Sequence, residues 1–475
     1  MTQDKRIQDE RIHPAYAEGF WCIGSACEDT CCKGWTVPVD RAAWEKYQNL
    51  PAGPLRVLWD SSVARASEGG DARASAGAEP VRPFAAIRMN EAHECPLLTK
   101  ERLCRIQSEL GVDLLPHTCA TYPRIVHSMG GAEEKALTFS CPEAVRLVLL
   151  TPDLPLQVDS HDRAEENAEE ASDADSLPDG FWPIRALVLK LLGARTYPLW
   201  QRLFLLRLLC ERLDRIGRGE DNPGENKRSV RAFLGDFEVA VGTGPLRLAM
   251  ETLPVDRMAQ LDIVLRLAGL MLHKSIMTPR FVECVHAFTT GIGNGPGATL
   301  ESLTAQYTLA HDRYYSPFFD RHPHIMENLL VNTIFRCRFP FGKEGMRAGG
   351  EPMGTESRMA REFNLLAAQF VLIRGLLIGV AGHHRAAFSE THVVHTVQAA
   401  SKHFEHHPEF LNLAHALLVE SRMDGTRGIA ILLRNAETGR GTGDSIPASI
   451  EPVSVGVSRI EGPGQSDSRQ TLLKS

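Results

Sequence analysis

A mainly α-helical protein is predicted, with a cysteine-rich metal-binding N-terminal domain followed by an irregular all-helical domain. Three observations predict it. Eight of the eleven cysteines precede residue 142. Beyond residue 180, apolar residues recur at spacings of three and four over long stretches, the signature of helices. Strand-like alternation is scarce throughout.

The elements follow in order. Residues 13–150 read as the cysteine-rich domain, interrupted at 60–83 by an Ala/Ser/Gly-rich insertion with little to bury, a flexible loop. Residues 151–180 read as a solvated acidic linker, since 159–179 hold nine Asp/Glu against one Arg. The helical domain spans 181–430. Pro183 suits a first helical position, and Ile184, Leu187 and Leu191 continue the rhythm. Pro198 separates this helix from one carrying Leu203, Leu206, Cys210 and Leu213. Further helices are expected near 244–270, 324–339, 358–381, 389–405 and 408–423. From 435 to 475 the chain is Gly-, Ser- and Pro-rich and reads as disordered.

The 475 residues allow two or three domains at ~150 residues each. Hydrophobic residues make up 43% and charged residues 23%, which excludes a fibrous or wholly disordered chain. A net charge of −7 argues against a nucleic-acid partner. The charged first twenty residues lack the apolar core of a secretory signal, so a cytoplasmic location is expected. The segment Phe363–Gly382 (FNLLAAQFVLIRGLLIGVAG) is long enough to span a bilayer. Arg374 near its middle would cost ~2.5–3.5 kcal/mol there. No membrane span is therefore expected, but a buried helix with Arg374 paired or snorkelling.

Reduced thiols in such density read as a metal site sooner than as disulfides. Cys22, Cys27, Cys31 and Cys32 form a C-x4-C-x3-C-C pattern; Cys95, Cys104, Cys119 and Cys141 follow. Soft sulfur suits zinc or iron–sulfur clusters. The C-x2-C knuckles usual for zinc are absent, whereas a four-thiolate cluster tolerates varied spacing. A 4Fe-4S cluster is the first expectation and zinc the alternative, with four ligands drawn from the pool of eight and Cys27 and Cys31 first among them. The side chains of adjacent Cys31 and Cys32 are expected to diverge into different roles. Cys210, Cys284 and Cys337 sit singly in apolar stretches and read as core residues.

Four segments carry a resemblance: FWCIGSACEDTCCKGWTVPVD, CPLLTKERLCRIQSELG, TCATYPR and ENLLVNTIFRCRFPF. Together they resemble the flagellin lysine-N-methylase family, over residues 13–425 apart from the loop. The resemblance implies transfer of a methyl group from S-adenosylmethionine to lysine ε-amines of flagellin by an iron–sulfur protein. The competing expectation is a non-catalytic iron–sulfur or zinc-binding protein with a helical docking domain.

No strand–turn–helix unit surrounds the glycine-rich GIGNGPG (Gly291–Gly297), so a Rossmann-type donor site is not indicated and an interhelical loop is expected. Asn328, Asn332 and Arg336 form a polar stripe on an apolar helix, with Glu327 beside it. Such a stripe either joins helices through buried hydrogen bonds or lines a pocket. Glu327, Asn328, Asn332 and Tyr122 are therefore candidate catalytic residues, and Arg124 and Arg336 candidate cofactor contacts. Glu28 and Asp29, flanked by cysteines, are further candidates for site chemistry. His383, His384, His392, His395, His403, His406 and His407 cluster late, but HFEHH lacks the zinc-protease spacing, and solvated or core-satisfied histidines are expected.

Overall fold

The structure is a computed structural model that describes residues 11–34, 36–65, 84–129, 132–159, 177–178, 180–220, 230–274, 278–342, 358–405 and 408–435. Most of the expected loop, much of the acidic linker, the tail beyond 435, and His406 and His407 lie outside the described residues.

The N-terminal third holds short strands as well as helices. In chain order these are β1 (Arg11–Pro14), β2 (Val37–Val39), α1 (Arg41–Gln48), α2 (Pro54–Ser62), β3 (Val63–Arg65) and β4 (Ala85–Ile87). Then come α3 (Arg105–Leu110), α4 (His117–Thr121), β5 (Arg124–Met129), β6 (Ala132–Leu137), α5 (Pro142–Leu149) and β7 (Leu156–Asp159). Strands of three to six residues are too short for alternation to show in the sequence. β4 lies between β2 and β3, with Val37 and Val63 both opposite Ile87. The loop expected at 60–83 thus starts later, because residues 60–65 complete α2 and β3. Likewise the start of the linker is strand β7, paired antiparallel with β1.

The remaining described chain is helical: α6 (Phe181–Leu192), α7 (Leu199–Gly217), α8 (Val230–Gly242), α9 (Gly244–Glu251), α10 (Arg257–Lys274), α11 (Pro279–Gly291) and α12 (Leu300–Ala310). A π-helical turn at His311–Tyr315 leads to α13 (Ser316–Arg321). The chain then continues through α14 (His324–Cys337), α15 (Arg358–His384), α16 (Glu390–Phe404), α17 (Pro408–Glu420) and α18 (Thr426–Leu433). The helix expected over 244–270 is two, since Pro254 cannot donate a helical N–H and disfavours helix before it. Thr278 caps α11, its hydroxyl accepting from Phe281 N–H, with Pro279 at the first helical position.

Apolar side chains form two cores, and they divide the chain differently from the boundary expected at 150. A small core gathers Val37, Val39, Tyr47, Trp59, Ile87, Cys95, Leu97 and Ile106. The large core includes Tyr16, Phe20, Met129, Phe139, Cys141 and Val145 along with residues of the helical body. β5, β6 and α5 therefore belong by packing to the helical body.

α15 runs through the large core, buried on all sides from Phe363 to Ala381. Arg374 does not snorkel: it donates to the carbonyls of Leu432 and Leu433 at 2.5 and 2.7 Å, capping the end of α18. The apolar segment is thus a core helix of this fold. α11 crosses α15 at a glycine contact. A Cβ on Gly379 would lie 2.4 Å from the Phe288 ring, and one on Gly291 would lie 1.8 Å from the Gly379 carbonyl. Gly379→Ala must push the two helices apart, so a loss of about 1–3 kcal/mol in urea unfolding is expected. An unchanged midpoint would mean that the crossing is loosely packed.

Candidate functional site

The two cores meet at a polar cleft of about 590 Å³. One wall comes from the cysteine-rich segments: Glu28, Asp29, Thr30 and Lys33, then His93, Glu94 and Arg102. The facing wall comes from the helical body: Thr278, Arg280 and Glu283 at the start of α11, and Lys402 on α16. Both acids flanked by cysteines in the sequence thus line the cleft.

Ion pairs hold the cysteine loop against the helices. Asp29 accepts from Lys402 at 3.0 Å and from Gln398 at 2.6 Å. Gln398 also donates to the Ser140 carbonyl at 3.0 Å. Glu28 bonds the Arg146 guanidinium and lies 3.7 Å from Arg280 and 3.9 Å from the His395 ring. Burial would raise the Glu28 carboxyl, but its hydrogen bonds and these cations outweigh that and hold it below the usual range. Burial lowers the pKa of His395, which favours its neutral ring. Lys33 and Glu94 form a further pair at 3.0 Å across a β-bridge.

The thiols sit behind the cysteine wall. Cys27 Sγ donates to the Asp29 carbonyl at 3.3 Å, and Gly24 N–H donates to Cys22 Sγ at 3.5 Å. Cys95 N–H donates to the Cys32 carbonyl at 2.8 Å. Asp40 joins α1 to α4, accepting from Ala43 and His117 N–H at 2.8 Å, and so places Cys119. The thiols of adjacent Cys31 and Cys32 hydrogen-bond to each other, which pulls Cys32 down to about 7 and keeps Cys31 protonated. Burial pushes Cys95 and Cys141 up to about 12 and raises Cys27, Cys104 and Cys119 as well. Among the described residues no group of three His, Cys, Asp or Glu side chains forms a ready-made metal-ion shell. Thiols are soft donors of the type that soft metals take, but their raised pKa favours the protonated form, so a metal would have to displace those protons.

The polar stripe lies elsewhere, inside the large core. Asn332 accepts from Leu137 N–H at 3.0 Å and from the Tyr16 hydroxyl at 2.9 Å, and donates to the Leu137 carbonyl at 2.8 Å. Asn328 donates to the carbonyls of Val148 and Thr151 at 2.8 and 2.7 Å. Arg336 donates to Gln369 at 2.8 Å and pairs with buried Glu405 at 3.3 Å. Glu327 is gripped by Arg195 and Arg202 at 2.9 and 2.7 Å. These side chains tie α14 to β6, α5, α7 and α15, and none lines the cleft. Arg124 donates to the Phe20 carbonyl at 2.7 Å and covers the Phe20 ring, fixing the approach to Cys22. Tyr122 is also outside the cleft lining; it lies near Cys31 and Cys141 with its hydroxyl on Ser140 at 3.1 Å. Burial holds its phenol neutral.

Of the described late histidines, His395 faces Glu28 and others pack against rings. The rings of His384 and His392 stack at 3.7 Å, and His403 lies against Phe281. GIGNGPG is the end of α11 and a turn with positive φ at Gly293 and Gly297. Sequence reasoning missed Arg280, Lys402 and Gln398. Their one signal was charge or amide on otherwise apolar helices, shared with many solvated positions.

Two variants test the stripe. Asn332→Leu leaves Leu137 N–H and C=O buried and unbonded and should cost about 3 kcal/mol or more of unfolding free energy. Glu327 has its pKa lowered, since Arg195 and Arg202 outweigh burial. Its contribution to stability is complete above the unfolded value near 4.5 and is lost as pH falls through the lower folded value. Glu327→Gln should flatten that acid limb in unfolding curves recorded between pH 3 and 6. A wild-type slope in the variant would exclude Glu327 as its source.

Residues 185–432 match the family model of the FliB lysine N-methylase C-terminal domain. The chain is 33% identical over 141 residues to the flagellar biosynthetic protein FliU of Salmonella muenchen, covering 30% of this chain and 77% of that protein. It shows the same identity over the same length to the lysine-N-methylases of Salmonella typhimurium strain LT2 and Salmonella choleraesuis, covering 32% of each. The chain thus aligns with about a third of the length of those two relatives. No solved structure matches. The match covers more than half of the chain, from α6 to α18, and includes the α11–α16 wall of the cleft: the chain belongs to the FliB lysine N-methylase family.

Proposed function

We propose that the protein is a cytoplasmic protein-lysine N-methyltransferase that moves a methyl group from S-adenosylmethionine to lysine ε-amines of flagellin. One observation carries this reading. The helices of the family-matching region and the cysteine loop meet at a charged cleft, lined by acids and bases from both. Two of the relatives bear the name lysine-N-methylase and a third that of a flagellar biosynthetic protein, which supports lysine and flagellin as acceptor.

The cleft suits both partners of such a transfer. The donor carries a carboxylate, for which Arg280 and Lys402 are ready partners. An incoming lysine ammonium is drawn by Glu283 and by the acids of the facing wall. To react, that lysine must shed its proton, although its free pKa is ~10.4. Five cations line the space, Lys33, Lys100, Arg102, Arg280 and Lys402, against four acids, Glu28, Asp29, Glu94 and Glu283, and this small excess of positive charge favours the neutral amine once the lysine is inside. The neutral nitrogen then attacks the methyl carbon, its bond to sulfur breaks with the electron pair leaving on sulfur, and the second N–H proton passes to solvent.

Four thiols drawn from Cys22, Cys27, Cys31, Cys32, Cys95, Cys104, Cys119 and Cys141 would hold the metal centre, a 4Fe-4S cluster or zinc. Such a centre supplies, when bound, a crosslink between chain segments and, if iron, a redox-active metal. Glu28–Thr30 join this thiol region to the cleft, so anchoring of the cysteine loop sets the position of one cleft wall.

Mass spectrometry of flagellin incubated with the purified protein and S-adenosylmethionine tests the reading. Lysines gaining about 14 Da are expected. Arg280→Ala should reduce the rate at least about tenfold, roughly 1.4 kcal/mol. It should also move the acid limb of the pH–rate profile upward, because one cation fewer opposes the substrate ammonium. Unmodified flagellin at every pH, with no saturable S-adenosylmethionine binding by calorimetry, would exclude the assignment.

A further inference from the structure

The Lys, Arg, Asp and Glu side chains that line the cleft fall into paired and unpaired groups. Lys402 holds Asp29 at 3.0 Å and Arg280 lies 3.7 Å from Glu28, the two cationic side chains being only 14% and 15% exposed. Lys33 pairs with Glu94 at 3.0 Å. Three charges remain: Lys100 and Arg102 on the wall of the cysteine-rich segments, and Glu283 on the facing α11. All three are exposed, at the rim. Among the described residues none of them has an ion pair or a side-chain hydrogen bond.

The turn carrying the two cations is held by its own hydrogen bonds. Thr99 N–H donates to the Leu103 carbonyl at 2.8 Å, Arg102 N–H to the Thr99 carbonyl at 3.0 Å, and Leu103 N–H to the Thr99 hydroxyl at 3.2 Å. A bridge between Leu98 and Cys104 closes its base. Arg102 has φ 63°, in the left-handed region, where Gly, Asn or Asp would sit at less cost. A long cation thus occupies a position whose backbone favours a short residue, and it lines the cleft.

Depth decides which reactant meets which group. S-adenosylmethionine is small enough to reach Arg280 and Lys402, and the Nη1 of Arg280 is buried with no hydrogen bond of its own. A lysine on a protein enters at the rim, with its sequence neighbours on either side. There Glu283 attracts the ammonium from one wall, while Lys100 and Arg102 on the other repel a second basic residue and attract a carboxylate. A space of about 590 Å³ is roughly 8 Å across, which an extended chain covers in about two to three residues.

We infer that Lys100 and Arg102 are specificity-determining residues that select an acceptor lysine with an aspartate or glutamate about two to three residues away, the ammonium lying at Glu283 and the carboxylate at the turn. The inference rests on the methyl-transfer reading above and names the class of acceptor it takes. One bound carboxylate offsets the positive excess of the lining, but the sulfonium of the donor restores it beside the amine, so the neutral nitrogen is still favoured.

Methylation by the full chain with S-adenosylmethionine is measured on two synthetic peptides of one lysine each, flanked by Asp in one and by Asn in the other. The Asp peptide should show a kcat/KM higher by roughly three- to tenfold, as for a few exposed ionic contacts. The difference should lie mainly in KM and shrink at higher salt. In Lys100→Gln/Arg102→Asn, where Asn tolerates the left-handed backbone, the two peptides should become equal. Equal values in the wild type, or an unchanged ratio in the double variant, overturn the proposal. A double variant that loses S-adenosylmethionine affinity in calorimetry but keeps the peptide ratio assigns the two cations to the donor, and overturns it as well. Should neither peptide be methylated, fluorescence anisotropy of the labelled peptides decides. Tighter binding of the Asp peptide, lost in the double variant, supports the proposal, and equal affinities overturn it. The methyl-transfer reading itself stands or falls on the flagellin assay.

Discussion

Burial of α15 on every side is the constraint from which the helical body follows. The stretch Phe363–Ala381 has no solvated face and must be enclosed completely. α7, α10, α11, α12, α16, α17 and α18 enclose it. Glycines at 375, 379 and 382 supply the closest approaches, to Val264, Phe288 and Ala310. The one charge within that stretch, Arg374, is satisfied by carbonyls that α18 would otherwise leave unbonded at its end. Enclosure and charge satisfaction are thus solved by the same partners, and the order of helices around the axis is set by them.

From this body the polar contacts reach outward to the cysteine-rich segments. Asn332 takes both backbone groups of Leu137 at the end of β6, and Asn328 takes two carbonyls at the end of α5. Glu405 receives the N–H of Phe139 in the segment leading to Cys141. These bonds are buried, so breaking one leaves an unpaired group in a low-dielectric interior. The result is a rigid shelf carrying Cys141 and Arg146, against which Glu28 and Asp29 then dock. The cleft is therefore a consequence of core hydrogen bonding several residues away from it.

Its charge pattern follows from the same docking. A loop carrying two acids lies against helices carrying Arg280, Lys402 and His395. In such a space neither a lone ammonium nor a lone carboxylate dominates, which suits a zwitterionic donor and a lysine that must arrive charged and react neutral. Cys27 and Cys31 flank Glu28–Thr30 in that loop, so any change at these thiols would act on the cleft wall.

The sequence by itself determined the helical class, the positions of α14 to α17 within a few residues, and the core role of the apolar segment with Arg374. Those features rest on local periodicity and composition, which survive without tertiary knowledge. The motifs also carried the family. Tertiary structure alone decided the rest. The three-residue strands exist only through pairing, as Val37 and Val63 meeting at Ile87 show. The stripe on α14 allowed two readings because an amide's role depends on its partner, and Leu137 lies 195 residues away. Arg280 and Lys402 resemble any solvated cation until the fold brings Glu28 and Asp29 to them. Periodicity reports which face of an element is buried; it carries no record of what that face is buried against.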